Sequence, residues 1–462
     1  MGAESSPAEP VARGRRHVTM CQSRFALAHR SSCSMAARSQ ESLQERLSRL
    51  ADAGERGDPL VFSGRGEEIK RIVRAAGNLP PDGASGQTFV VEGAPGAGKT
   101  ALIRELARRL SAVGSSTVIR EKVPSDESVM AVYRTLLSVV SGIPPEEART
   151  TRSKGTAVAG GVGGVMSGKR VSSESVAPLV TLDTAMIAEQ CSPERLSSAQ
   201  PVVVFVDEVQ NLQAGSGAAK LLEDLHTQGK LPVLLVCAGL STSSARLADA
   251  GISRLGATRH IRLGGLAADE AIDCAERTLA LSRQWGVDVP DDEMKVWAQA
   301  IAEASDHWPR HLHCYLQAVW GVLADQDAPS LAAASLAEAL ARGRELREAY
   351  YLERLRNGGV PLEVAGTLHL RLADGGVLDL LEATLLVGET IDERLSPRAR
   401  EIARSAFPAD SHCFNAMLKS GLVSLDERDL CISPIPSMTD FVLDRCEGLG
   451  IQLHRRGESP AP

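Results

Sequence analysis

Aromatic residues are scarce in this sequence: seven Phe, four Trp and four Tyr make up 3% of 462 residues. A core of any size must then be built mostly from aliphatic side chains. The nine cysteines are scattered, with no C-x-x-C pair. An odd count without pairing argues against a closed disulfide framework and fits reduced thiols in a cytosolic protein. Long apolar runs are missing as well. Residues 202–206 and 231–240 are the longest, far short of the roughly 20 needed to span a bilayer. The first residues hold no apolar core of signal-peptide length, so cytoplasm is the expected location and no membrane partner is expected. There is no basic excess either. A net charge of −7 and a pI near 5.9 exclude a surface that coats nucleic acid throughout, so any such contact is local. The length allows two or three domains.

What is present centres on Gly93-Ala94-Pro95-Gly96-Ala97-Gly98-Lys99-Thr100, followed by Ala101. The apolar run at 88–91 precedes it, and apolar residues at helical spacing follow through 110. Strand, Gly-rich turn and helix form the context of a phosphate-binding loop. Glycines let backbone N–H groups close around phosphate oxygens with no Cβ in the way. The helix that starts near Lys99 aims its unpaired N–H groups and positive dipole end at the anion. Lys99 is placed to reach the β- and γ-phosphates, and the Thr100 hydroxyl to ligate Mg²⁺. A bound nucleoside triphosphate is the expected ligand, and no Asn-Lys-x-Asp reader of guanine occurs.

Farther along, Pro201-Val202-Val203-Val204-Phe205-Val206-Asp207-Glu208 is a buried-strand pattern that ends in two carboxylates. Behind a phosphate-binding loop this is the Walker B arrangement. Asp207 would hold Mg²⁺ through water, and Glu208 would orient the attacking water. Residues 116–121 and 231–238 read as two more strands, and helices are expected at 128–141, 179–198 and 218–229. Four apolar strands alternating with helices predict an α/β fold with a parallel sheet covered on both faces. Nucleotide would then sit at the strands' carboxyl ends. Residues 1 to about 40 carry a local basic excess and little periodicity, the pattern of a disordered tail, with Met20 and Met35 as alternative starts. A short helix follows at 41–53. The Gly-rich segment at 150–178 is either a flexible surface loop or an ordered hairpin lining a ring pore, where Lys154, Lys169 and Arg170 would meet a phosphate backbone.

Together these residues resemble a AAA+ ATPase of the origin-recognition/initiator-like and transposition-helper-like branch. The matching pieces are Phe62-Ser63-Gly64-Arg65-Gly66-Glu67-Glu68, the phosphate-binding loop, Val206-Asp207-Glu208-Val209-Gln210-Asn211, Gly251-Ile252-Ser253-Arg254-Leu255 and His307-Trp308-Pro309-Arg310-His311-Leu312. The resemblance implies ATP and Mg²⁺ as ligands and hydrolysis to ADP and phosphate. It implies self-association, with Arg254 as the arginine that reaches the neighbouring subunit's γ-phosphate and Arg259 as a competing candidate. Arg310 matches the arginine that faces nucleotide from a helical lid. Where the family has a polar residue at the end of the strand after the carboxylate pair, this chain has Gly239-Leu240 with Ser241 beyond.

The expected division is a tail and short helix at 1–55, a nucleotide-binding domain at 56–265, a helical lid at 266–356 and a small α+β domain at 357–462. Lid helices are expected at 266–283, 292–305, 310–324 and 330–356. His307, His311, His313 and Cys314 read as a polar lid face rather than a metal site. Helices around 378–386, 396–407 and 411–420, with a two-stranded wing at 421–433, resemble a winged helix. Residues 346–462 hold 13 basic against 18 acidic residues, and the expected recognition helix offers only Lys419. Phosphate neutralisation normally dominates DNA affinity. Double-stranded DNA and a DNA-bound or other protein therefore both stay open as partners. The leading expectation is an ATP-hydrolysing switch acting on DNA or a nucleoprotein. The alternative is a signalling or defence oligomer with slow turnover.

Overall fold

The computed structural model describes residues 42, 44–47, 49, 60–79, 87–113, 117–122, 132, 135–136, 201–227, 232–252, 259–375, 378–393, 413–426, 428 and 430–453. The basic tail, the Gly-rich segment with Lys154, Lys169 and Arg170, the helices expected at 179–198 and 396–407, and Arg254 lie outside these residues. So does most of the helix expected at 128–141. Elements are numbered over the described residues.

Five strands form one parallel sheet: β1 (Gln87–Gly93), β2 (Thr117–Lys122), β3 (Val202–Asp207), β4 (Val233–Gly239) and β5 (His260–Leu263), in the order β2-β3-β4-β1-β5. Every residue of β3 and of β4 is buried, as expected of parallel strands covered on both faces. Alternation divides the side chains between two cores. Phe89, Val91, Val203, Phe205, Leu234 and Val236 meet α1 (Gly66–Gly77) and α2 (Lys99–Val113) on one face. Val90, Val202, Val204, Leu235 and Cys237 meet α3 (Gly217–Thr227) and α4 (Ser243–Asp249) on the other. Each fully buried Val or Leu contributes about 1.5–3 kcal/mol. The register pairs Glu92 with Gly239 and Val206 with Cys237. The carboxyl ends of β1, β3 and β4 therefore lie side by side on one edge.

The fifth strand corrects the expectation of four. His260-Ile261-Arg262-Leu263 is short and half-exposed at the sheet edge, so it never forms the apolar run that marks a buried strand.

Four helices follow as the lid: α5 (Ala268–Ala280), α6 (Asp291–Ala304), α7 (Pro309–Asp325) and α8 (Leu336–Gly358). Pro309 takes the first helical position of α7, where a missing N–H costs nothing. The Ser335 hydroxyl caps α8 by accepting from Glu338 N at 3.3 Å. Trp297, Ile301, Val319, Trp320 and Leu323 form the lid core, which also takes in Leu47 from the short helix near residue 45. The polar face expected of His307, His311, His313 and Cys314 is half wrong. His311 is 0% exposed and Cys314 is 2% exposed, because α7 packs against α5, α6 and α8. His311 Nδ1 donates to Ser305 O at 3.2 Å. Burial, helped by Arg347, pushes this imidazole down to about 3.

The C-terminal lobe holds α9 (Leu362–Ala373), β6 (Leu378–Asp379), α10 (Leu380–Glu393), α11 (Cys413–Ser420), β7 (Ser424–Leu425), β8 (Leu430–Ile432) and α12 (Met438–Gly448). The β7–β8 hairpin stands where a two-stranded wing is expected, and β6 pairs with β8 to make three antiparallel strands. α9 was not expected, although Leu362, Val364, Ala365, Leu368 and Leu372 keep helical spacing behind Pro361. The core of this lobe is continuous with the sheet core through Trp308, Tyr350 and Tyr351. No helix among the described residues is long and apolar enough to cross a membrane.

Candidate nucleotide site

The loop from Gly93 to Thr100 joins β1 to α2, with Gly96 at φ 84° and Gly98 at φ 92°. L side chains avoid that left-handed region, so these two positions need glycine. Lys99 folds into the loop it belongs to. Its Nζ donates to Gly93 O at 2.7 Å and Ala94 O at 3.1 Å. Burial pushes Lys99 down to about 8 against the opposing pull of Glu208 and Asp207. A buried ammonium held only by two carbonyls in an amide-lined turn is matched to an anion.

Asp207 closes β3 on the neighbouring strand end. The Thr100 hydroxyl donates to Asp207 Oδ2 at 2.6 Å, and Asp207 Oδ1 accepts from Glu208 N at 3.0 Å. Glu208 itself has φ 61°, an uncommon conformation for a residue with a Cβ. Hydroxyl, carboxylate, lysine and loop now share one strand edge. Residues 61–236 match the AAA ATPase domain family.

No curated protein matches the sequence. In structure the chain is similar to a Walker-type ATPase of Pyrococcus abyssi, with 14% identity, 82% of this chain and 96% of the other covered, and a TM-score of 0.44. A point mutant of Thermotoga maritima RuvB is similar at 15% identity, 85% and 97% coverage and a TM-score of 0.40. Aeropyrum pernix ORC2 is similar at 12% identity, 85% and 96% coverage and a TM-score of 0.41.

Beside the phosphate-binding loop, a cleft of about 1200 Å³ including its open mouth brings Lys99, Thr100 and Glu208 of the matched region opposite Arg310, Arg354 and Lys419. Arg310 opens α7, and its backbone N–H donates to Gly96 O at 3.2 Å. Tyr350 of α8 donates its hydroxyl proton to Pro95 O at 2.9 Å. Two guanidinium groups, those of Arg310 and Arg354, each lie 5.6 Å from the Tyr350 ring centroid, within cation–π range. The C-terminal lobe reaches the loop as well. A Cβ added at Gly421 would stand 2.3 Å from Pro95 Cδ, so the turn after α11 lies directly on it. Four cations from three parts of the chain, Lys99, Arg310, Arg354 and Lys419, therefore line one cleft together with Glu208.

A second, apolar cleft of about 610 Å³ adjoins the first at Gly98, Ala101, Pro309 and His313. Val61, Phe62, Leu312, Leu316 and Trp320 line it, a surface suited to a flat heteroaromatic ring. Arg65 anchors its wall. The Arg65 backbone N–H donates to Glu270 Oε1 at 3.0 Å, and its guanidinium donates to Gly264 O.

Of the sequence-predicted residues, Pro95, Gly96, Ala97, Gly98, Lys99, Thr100, Ala101, Glu208 and Arg310 line the two clefts, Gly93 and Ala94 hold Lys99 through their carbonyls, and Asp207 holds the Thr100 hydroxyl. Arg254 lies outside the described residues. Arg259 stands beside His226, at the register level of Phe89 and away from the strands' carboxyl ends. Sequence reasoning assigned no role to Tyr350, Arg354 or Gln210. Tyr350 and Arg354 lie 250 or more positions from the loop in sequence, with no motif around them, so only the signal of an Arg one helical turn after a Tyr was available.

Proposed function

We propose that this protein is an ATP-dependent molecular switch of the AAA+ type, which hydrolyses ATP and passes the nucleotide state to its C-terminal lobe. One observation carries this reading: Lys99, Thr100, Glu208 and Arg310 line a single cleft beside an apolar one, with Asp207 hydrogen-bonded to Thr100. The residues fit Mg²⁺, since Thr100 and Asp207 present two hard oxygen donors already 2.6 Å apart. Mg²⁺ held there neutralises charge on the β- and γ-phosphates.

Lys99 exchanges its loop carbonyls for phosphate oxygens. Glu208 takes a proton from the attacking water, and Arg310 holds phosphate from the lid. The adenine ring occupies the apolar cleft. Arg354 and Lys419 extend the cationic wall from α8 and α11, so that nucleotide joins the C-terminal lobe to the sheet in the same chain. The domains we propose are 56–265, 266–356 and 357–462. Arg254, or Arg259, completes the site of a neighbouring copy in a homo-oligomer, and the protein acts in the cytoplasm.

The resemblance of the motifs to initiator-type proteins supports action on double-stranded DNA or a DNA-bound protein, with the C-terminal lobe as a winged helix. A second reading has its own support. Lys419, the one basic residue of α11, lines the nucleotide cleft, which removes it from a DNA-facing helix. That favours a protein-binding lobe on a signalling or defence oligomer with slow turnover.

The test is the ATPase rate per subunit against protein concentration, with and without double-stranded DNA. A rise with concentration and with DNA, abolished in Glu208→Gln, supports the switch acting on DNA. Retention of ATP with no DNA response supports the second reading. Arg254→Ala is expected to keep ATP binding and lose hydrolysis. Wild-type turnover in that variant moves the trans contact to Arg259 or removes it.

A further inference from the structure

Gly239 ends β4 beside the carboxylate pair, in a place where no side chain can contact Glu208. The structure fills that place from elsewhere. The short turn Val209–Asn211 follows Glu208 and carries Gln210 back across the strand ends. Gln210 Oε1 accepts from Leu240 N at 3.2 Å, and Gln210 Nε2 donates to Glu208 Oε2. Only the amide oxygen can accept from a backbone N–H, so the amide orientation is set and its NH₂ must face the carboxylate. Gly239 makes room for this. A Cβ there would stand 2.5 Å from Gln210 Oε1 and 2.2 Å from Ser243 Oγ. Glycine at the end of β4 and glutamine two positions after Glu208 thus form one arrangement.

We infer that Gln210 is a positioning residue for Glu208, tying the base to the backbone end of β4. This rests on the reading of Glu208 as the base for ATP hydrolysis. In that step a water oxygen bonds to the γ-phosphorus, one water proton passes to Glu208, and the bond to the β-phosphate oxygen breaks to leave ADP. The Glu208 carboxylate must point at a water it binds only briefly. Its backbone sits in a left-handed conformation, next to Asp207, which is committed to Thr100. A hydrogen bond from an amide fixed at its other end selects one carboxylate rotamer without adding a charge. A positioning contact of this kind acts on kcat and leaves ground-state nucleotide binding alone.

The experiment measures kcat, KM and ATP affinity of the full-length chain for wild type, Q210A, Q210E and E208Q, with thermal melting of each as the folding control. Q210A is expected to lower kcat on the order of 10–100-fold, with ATP affinity and melting within about twofold and about 2 °C of wild type. Q210E keeps the shape but replaces the donor with a second carboxylate, and its loss is expected to equal or exceed that of Q210A. Wild-type or higher kcat in Q210A, or a loss confined to KM, overturns the inference. If E208Q is inactive while Q210A is not, only the role of Gln210 falls. If E208Q turns over like wild type, the assignment of Glu208 falls with it.

Discussion

Lys99 faces two competing sets of partners. Within the loop its ammonium is satisfied by two carbonyls, whereas a triphosphate offers full negative charges at the same place. Charge-assisted contacts are about twice as strong as neutral ones. Lys99→Ala is therefore expected to weaken ATP binding by at least about 100-fold, measured by titration with a fluorescent ATP analogue. Unchanged affinity would refute the loop assignment. Arg354 makes the complementary case. It is held over Tyr350 in the cationic wall of the cleft, and its Nε is buried without a hydrogen-bond partner. Arg354→Ala is expected to weaken ATP binding about 10-fold and ADP binding less, since the charge lost faces the phosphate-rich side. Equal losses for both nucleotides, or none, would remove Arg354 from phosphate contact.

Among the elements, α7 serves both a core and a site. Its first turn carries Arg310 to the loop, while His311, one position later, turns into the lid. The Tyr351 hydroxyl lies 3.0 Å from His311 Nε2 and 2.8 Å from Pro436 O, which joins α7, α8 and the C-terminal lobe. His369 on α9 is equally enclosed and pushed down to about 4 by burial, against about 3 for His311. Both histidines stay neutral in the fold while the unfolded chain takes up protons near pH 6.5. The unfolded state then binds more protons below that pH, so stability falls as pH drops from about 6.5 toward 4. Melting midpoints across that range should fall, with a limiting slope of about 1.4 kcal/mol per pH unit for each histidine. His311→Gln, which cannot take up the proton, should show a shallower fall. A flat profile in the wild type would mean that these histidines are charged in the fold.

At the scale of the whole molecule, one core runs from the sheet through Trp308, Tyr350 and Tyr351 into the C-terminal lobe. The Pro95 loop is gripped at once by Tyr350 and by the turn at Gly421. Nucleotide that reorders this loop must therefore shift the balance between the lobe and the sheet. Amide exchange in α11 and α12 is expected to change on adding ATP, and Tyr350→Phe should reduce that change while keeping ATP binding within about 10-fold. Exchange in the lobe that ignores nucleotide would separate the two parts. Self-association stands on a different footing, because Arg254 would act on a neighbour's site rather than its own.

The amino-acid sequence by itself determined the phosphate-binding loop, the carboxylate pair and the parallel sheet. Each is local: contiguous glycines, a contiguous apolar run, and a strand that ends where its carboxylates begin. The lid helices and the β7–β8 hairpin were legible for the same reason. Tertiary structure alone decided what faces what. Gln210 meets Glu208 and Leu240 because β3 and β4 are neighbours in the sheet. Tyr350, Arg354 and Lys419 reach the loop only because α8 of the lid and α11 of the C-terminal lobe fold back over it. The periodicity of α7 marks an apolar stripe but not how many helices pack around it. For that reason His311 read as exposed and proved buried, and β5, too short to carry a period, was visible only once its partner strand was in place.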